Sequence, residues 1–509
     1  MEKQNSFKYF LLNTRFNKAV LFLAAIAILL QFTVFKYFYP YASFISGDSY
    51  VYLETAHLNL DINNYMVGYS RLLRLFSVFT RSDTALVAFQ YLLIQSSALF
   101  FLFTLFFFYN PSKIIQIALI CFIVPNPLFL YLANYISSDA YFLALSLIWF
   151  TILLWIIHRP TMRLIIFQTL SIYIAFTVRN NALIYPLIAA FAFIISPFTI
   201  KRKFLGIIGS CLVIGLFIAY TGTKFQSLTG TWQYSPFSGW QMANNAMYAY
   251  RYVDNKNVKP VPEKFRKLDN MIRNYFDSTR DLKKHPEEAL LASTVYMWDR
   301  RSPLQKYMNL QFINDSVSDS RKKWASMGPL YGEYGLYIIK KYPLLFFKFF
   351  LWPNANRYFA PPVEFLEAYN MGKENVAPIA QAWFGYKSHK VTTRLKDFRV
   401  TLLDFYPILT GIMNVVFLCS LICFIIINGF RNAFPFRKGL LLAISVWIIN
   451  AGFTIFASSA ALRFQAFPIL LVSTFALLQV DYLWKSSERI ERSKLKVKNQ
   501  ELLIASGDI

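Results

Sequence analysis

The chain has 509 residues, 56% of them hydrophobic and 18% aromatic, with 52 Lys and Arg against 27 Asp and Glu for a net charge of +25. Only 16% is charged and the mean hydropathy is +0.39, against about 25% charged in an ordinary soluble domain. That balance excludes a disordered, collagenous or nucleic-acid-coating protein and indicates an all-α polytopic membrane protein, whose apolar excess needs a solvent other than water.

In chain order, ten stretches are apolar enough to cross a hydrocarbon core, which takes roughly 20 helical residues. They are Ala19–Tyr39, Thr84–Tyr109, Ile114–Ala133, Tyr141–Ile157, Leu164–Val178, Ala182–Phe198, Phe204–Thr221, Thr401–Asn428, Gly439–Ala457 and Ala466–Trp484. The fifth and sixth are short. Lys3, Lys8, Arg15 and Lys18 precede the first and no small-residue cleavage site follows it, so it reads as an uncleaved anchor.

Lys113, Arg159 with Arg163, Lys201-Arg202-Lys203, Arg431 with Arg437-Lys438, and the 485–498 tail share the side of the N-terminus. The positive-inside rule puts that side, with both termini, in the cytoplasm, and a plasma or bacterial inner membrane is expected. Segments 40–83, 134–140, 179–181, 222–400 and 458–465 then face outward. The expected organisation is a membrane module over 1–221, a largely helical extracytoplasmic insert over 222–400, a second module over 401–484 and a basic tail over 485–509. The insert holds 27 Lys and Arg and 15 Asp and Glu, about half of the net charge.

Several nucleophile and cofactor signatures are missing: Walker A, GxGxxG after a strand, GxSxG and HExxH. The four His are scattered on both sides, against a histidine metal site. The four Cys all lie in apolar runs, and Cys419 with Cys423 reads as a pair of buried small hydrophobes.

The informative residues are the ionisable ones at outward ends. Asp48, in Gly47-Asp48-Ser49-Tyr50, follows the first span; it is either an interfacial base or the N-cap of a helix over Ser49–Leu60. Glu54 and His57 fit a solvated face of that helix. Arg71 and Arg74, after Gly68-Tyr69, fall on one face of an interfacial helix, where snorkelling and phosphate binding use the same chemistry. Asp139, the single acidic residue between Asp83 and Asp254, opens the fourth span and either caps it or acts beside Asp48.

Arg179, in the Arg179-Asn180-Asn181 turn, cannot shed its charge and needs an anion: Asp48, Asp139 or a ligand phosphate. Arg463 lies at the same level, just before the last span. In the insert, Trp232 and Trp240 with Asn244 and Asn245 suit either sugar stacking or an interfacial aromatic belt. Tyr331–Trp352 reads as two short interfacial helices broken at Pro343. The segment 352–358 is a candidate cover for a lipid entrance.

These residues, in this order and on one side, resemble the GT-C class of membrane glycosyltransferases, which includes protein O-mannosyltransferases and the aminoarabinose transferases of lipid A. The resemblance rests on Asp48 after an uncleaved first span, Ser138-Asp139, Arg179-Asn180-Asn181, and Arg463 in Ala461-Leu462-Arg463-Phe464. It covers residues 1–200 best, 440–484 less, and little of 222–400. It implies a GT-C-like core that transfers a sugar from a polyprenyl-phosphate donor to an acceptor hydroxyl (glycan, lipid or protein) at the outer face, with inversion. Asp48 would be the base and Asp139 its helper, with Arg179, Arg463, Arg71 and Arg74 as donor-phosphate ligands.

Some members hold a divalent metal with a paired Asp-x-Asp, whereas Ser49-Tyr50 follows Asp48 here, so a Mg or Mn requirement stays open. Two other readings of the pattern are an oligosaccharide repeat-unit polymerase, which needs no aspartate after the first span, and a lipid or glycan transporter. The last predicts midplane charges and inverted repeats, which the sequence lacks.

Overall fold

The computed structural model describes residues 6–505, apart from the side chains at 255, 287, 493, 494 and 496–505. Lys3 and the end of the basic tail therefore lie outside the described residues. The protein is a polytopic helical membrane protein. Among the described residues, eight helices are long and apolar enough to cross a membrane: Arg15–Phe38, Asp83–Tyr109, Lys113–Asn134, Ser138–His158, Ile200–Thr229, Tyr406–Ile426, Phe436–Ala457 and Leu462–Arg492. No strand forms among the described residues; their pairing is limited to isolated bridges.

Ten expected spans thus become eight long helices and two shorter ones, Met162–Val178 and Asn180–Ile195. The 17 residues of the first of these reach about 26 Å at 1.5 Å per residue, short of the roughly 30 Å hydrocarbon core. The second opens with a 3-10 turn, Asn180–Ile184, before its α-helix begins at Tyr185. Arg179 sits between them in extended conformation, where the chain leaves one helix before entering the next.

Burial sorts the spans. In Ser138–His158 and Leu462–Arg492, 78% of the apolar window is buried, so these are central; in Arg15–Phe38 the figure is 17% and in Tyr406–Ile426 22%, so these are peripheral. The peripheral helices expose Phe22, Leu23, Ile408 and Val415 outward, a surface suited to lipid and not to water. All four Cys are exposed, Cys419 and Cys423 on the peripheral Tyr406–Ile426 helix. Cys419 and Cys423 are therefore not buried core residues as expected; periodicity gave their common face but not the side it turned to.

The third span is interrupted at Val124, and its second half, Pro127–Asn134, starts again with the Asn126 side chain accepting from the Leu128 amide at 3.1 Å. The freed Val124 carbonyl accepts from Gln95 Nε2 at 3.0 Å and Gln31 Nε2 at 3.4 Å. A broken helix inside a bundle is tolerable when neighbours satisfy its backbone in this way.

The long insert builds its own hydrophobic cluster, from Trp240 to Phe350, around the helices Pro236–Tyr250 and Ser320–Lys341. These two meet at glycine: a Cβ on Gly239 would lie 1.9 Å from the Gly328 carbonyl oxygen. The break expected at Pro343 is present, between Ser320–Lys341 and Pro343–Phe346. The following helix, Trp352–Phe359, clamps the end of the Phe436–Ala457 helix. Asn354 Nδ2 donates to the carbonyls of Thr454, Ile455 and Ser458 at 3.3, 2.9 and 2.6 Å, and its Oδ1 accepts from the Ala460 amide at 3.0 Å. That fixes the turn leading into Arg463.

Candidate active site

The first two loops at the insert end are tied together by backbone. Ser43 N–H donates to the Asn134 carbonyl at 2.8 Å and Ile136 N–H to the Ser43 carbonyl at 2.9 Å. A few residues beyond this parallel bridge, each chain starts a helix, Asp48–His57 and Ser138–His158, whose first turns carry Asp48 and Asp139. Neither carboxylate caps its helix, so the capping alternatives fail for both. In the Asp48–His57 helix, Ser49 Oγ instead accepts from the Ile45 amide at 2.8 Å, while Glu54 and His57 are exposed as expected.

Both carboxylates meet the two arginines. Arg463 Nη1 donates to Asp48 Oδ2 at 2.8 Å and to Asp139 Oδ2 at 3.2 Å. Arg179 Nη1 donates to Asp139 Oδ1, and Ser137 Oγ to Asp139 Oδ2 at 2.9 Å. Asp139 and Arg463 are almost fully buried, at 2% and 5% side-chain exposure; Arg179 and Asp48 are more open, at 18% and 19%. Two cations and two anions leave the cluster neutral. A buried ion loses several kcal/mol of hydration, which its partners repay only through close geometry and further hydrogen bonds.

The guanidinium groups are also held by rings. Arg463 lies 4.5 Å from the Phe365 centroid and 4.3 Å from Phe464, and Arg179 lies 4.7 Å from Phe464. Phe464 is thus a ring neighbour of both cations. Arg463 is in the first turn of the last helix, not ahead of it as expected, because Leu462 N–H finds the Pro362 carbonyl at 2.9 Å and starts the helix early.

A small pocket, with about 20 Å³ of space for water and partly open to solvent, adjoins the cluster. Asp139, Arg179, Asn181 and Arg463 line its polar side, and Phe142, Leu143, Phe467 and Pro468 its apolar side. Arg463 Nε, buried beside it, has no hydrogen-bond partner. Its lining sets guanidinium groups beside apolar side chains, the two surfaces that an anionic headgroup with an apolar extension would meet. The donor set suits a divalent cation poorly, since Arg463 already bridges Asp48 and Asp139.

The other expected site residues are elsewhere. Arg71 pairs with Asp61 at 3.0 Å and Arg74 donates to the Ala56 carbonyl at 3.0 Å; both are exposed, and neither joins the carboxylates. Trp232 packs on the Ile200–Thr229 helix, where a Cβ on Gly222 would lie 2.4 Å from its ring. Trp240 is buried, its indole N–H on the Trp324 carbonyl at 2.9 Å. Asn244 holds the Ser293 carbonyl and the Met297 amide, and Asn245 the Phe456 carbonyl at 3.1 Å. Trp240, Asn244 and Asn245 are thus buried in packing, because the aromatic and amide composition that suits a sugar also builds a buried helix pair, whereas Trp232 is 51% exposed. The segment 352–358 likewise clamps a span end and covers no entrance among these contacts.

Sequence reasoning missed four participants. Tyr65 donates its hydroxyl to Asp48 Oδ1 at 2.8 Å, and burial, followed by the Asp48 charge, pushes its pKa well above the ordinary phenol range. It therefore stays a donor at all physiological pH. Tyr52, in contact with Ser138 Oγ at 3.0 Å, is raised for the same first reason. Phe365 covers Arg463, and Lys373 Nζ donates to Ser46 Oγ at 2.6 Å, two residues from Asp48. The last two come from 361–373, a stretch with no periodicity to read.

Comparison of the chain with protein-family models, curated proteins and solved structures returns no match.

Proposed function

We propose that the protein is a GT-C-type membrane glycosyltransferase that moves a sugar from a polyprenyl-phosphate donor to an acceptor hydroxyl at the outer face. The single observation that carries this reading is the meeting of Asp48, Asp139, Arg179 and Arg463 at one end of the bundle beside a half-apolar pocket. The charge rule puts that end outside and the insert with it.

In this mechanism the donor phosphate enters between Arg179 and Arg463. Each guanidinium engages the carboxylates through Nη1 alone, leaving Nε and Nη2 for phosphate oxygens. Asp48, the more open carboxylate, takes the proton of the acceptor hydroxyl as its oxygen bonds to the anomeric carbon. The bond from that carbon to the phosphate oxygen breaks, and its electron pair leaves on a phosphate held by cations. Asp139 positions both arginines and does not touch the acceptor. A polymerase would also need outward arginines, but the pairing of Arg463 with Asp48 favours a base placed beside a phosphate site.

Incubating the purified full-length protein with polyprenyl phosphates carrying radiolabelled sugars tests this. Label should leave the lipid for at least one donor when a membrane extract supplies acceptors. Retention of label on every donor would sink the reading.

A further inference from the structure

Three indole rings lie in a parallel stack inside the insert. Trp240 and Trp324 are 5.2 Å apart at 4°, and Trp324 and Trp298 are 6.1 Å apart at 7°. The first two are buried, whereas Trp298, at the end of the stack, is 37% exposed. Tyr65 lies 6.0 Å from Trp298, ring to ring, and the same Tyr65 hydroxyl binds Asp48 at 2.8 Å. One side chain therefore joins an open indole to the carboxylate proposed as base.

The turn that presents Trp298 is held from behind. Asn244 accepts from the Met297 amide at 3.2 Å and donates to the Ser293 carbonyl at 2.9 Å; Ser302 Oγ reaches the Tyr296 carbonyl at 2.7 Å, and Gln305 Nε2 the Met297 carbonyl at 2.6 Å. An exposed indole fixed this firmly loses little freedom when it binds a ligand. Its neighbours in sequence are ionic: Asp299 pairs with Arg301 at 2.9 Å, and Arg300 is exposed. Phe237 also packs on Trp298 at 6.3 Å, and the part of the indole left open, among ionic neighbours, matches a sugar ring, which offers C–H bonds on one face and hydroxyls at its edge. A lipid chain would need a longer apolar groove.

We propose that Trp298 is the acceptor platform and that the acceptor is a saccharide, stacked on the indole with one hydroxyl directed to Asp48. This rests on the glycosyl-transfer reading above. The acceptor hydroxyl then loses its proton to Asp48 and bonds to the anomeric carbon, while the phosphate departs with the electron pair of the broken bond.

The test uses the full-length protein in lipid nanodiscs without donor. Saturation-transfer NMR is run against neutral di- to tetrasaccharides of glucose, galactose, mannose and N-acetylglucosamine. At least one should bind the wild type. Trp298→Leu should weaken it about tenfold, the scale of one aromatic contact, while Trp298→Phe retains most binding and both variants keep the wild-type elution profile. No saccharide binding to the wild type, or equal binding by Trp298→Leu, would overturn the platform. Failure of the parent reading looks different: saccharide binding intact, with no labelled sugar leaving any polyprenyl phosphate.

Discussion

Arg463 and Asp48 stand 415 residues apart in sequence and 2.8 Å apart in the structure. The same Nη1 serves Asp139, so one nitrogen couples the first loop, the second loop and the last helix. Removing one member of such a buried set leaves a charge uncompensated, which costs about 3–5 kcal/mol, whereas removing a matched pair costs less. Asp139→Asn and Arg179→Gln should each lower the thermal unfolding midpoint in detergent. The double variant should lie above the sum of the two losses; strict additivity would show that the pair is not coupled.

Tyr65 holds Asp48 from the side opposite Arg463. Tyr65→Phe removes that donor without changing the ring that packs against Phe237 and Trp298. The variant should fold and bind donor normally, yet turn over about fivefold slower, the scale of one hydrogen bond at roughly 1 kcal/mol. An unchanged kcat would remove Tyr65 from the site's machinery.

Gly68 is a close-approach glycine. A Cβ there would lie 2.5–2.6 Å from Thr177, including its backbone, two residues before Arg179. Gly68→Ala must push the end of the Met162–Val178 helix away and carry Arg179 with it. Donor KM should rise and the unfolding midpoint should fall. A variant matching wild type in both would mean that this helix end yields without cost.

The insert supplies a pH prediction. Burial raises the pKa of Asp269, against the opposing effects of hydrogen bonds from Tyr250 and Tyr334 and the charge of Arg273. The folded state therefore holds this proton to higher pH than the unfolded chain, whose value is about 3.9. Its contribution to stability is present below that value and is lost as pH rises through the folded value. Asp269→Asn should flatten the pH dependence of insert unfolding just above pH 4, followed by intrinsic fluorescence; the wild-type slope in the variant would contradict the assignment.

The sequence carried the membrane plan and the four central ions for one reason: each is a one-dimensional signal. Spans are runs of apolar residues, and Asp48, Asp139, Arg179 and Arg463 are isolated charges at span ends, expensive unless partnered. Tyr65, Phe365 and Lys373 carry no such signal, since a tyrosine or phenylalanine in an aromatic-rich loop is unremarkable until the loop is folded. Arg71 and Arg74 had the right charge and side but were drawn to Asp61 and the Ala56 carbonyl on their own loop. Trp240 and Asn244 were misread because burial and sugar binding favour the same residues; the indole that is both open and near Asp48, Trp298, lay outside the stretch that composition had drawn attention to.

The central claim is that Asp48 is the base for sugar transfer beside an arginine-held phosphate. Its most direct test is the transfer rate of purified wild type and Asp48→Asn in nanodiscs, with the polyprenyl-phosphate sugar that the wild type consumes and both proteins shown to bind it. General-base loss predicts a kcat lower by about 10²–10⁴-fold, with donor affinity retained through Arg179 and Arg463. Wild-type kcat in Asp48→Asn would contradict the account.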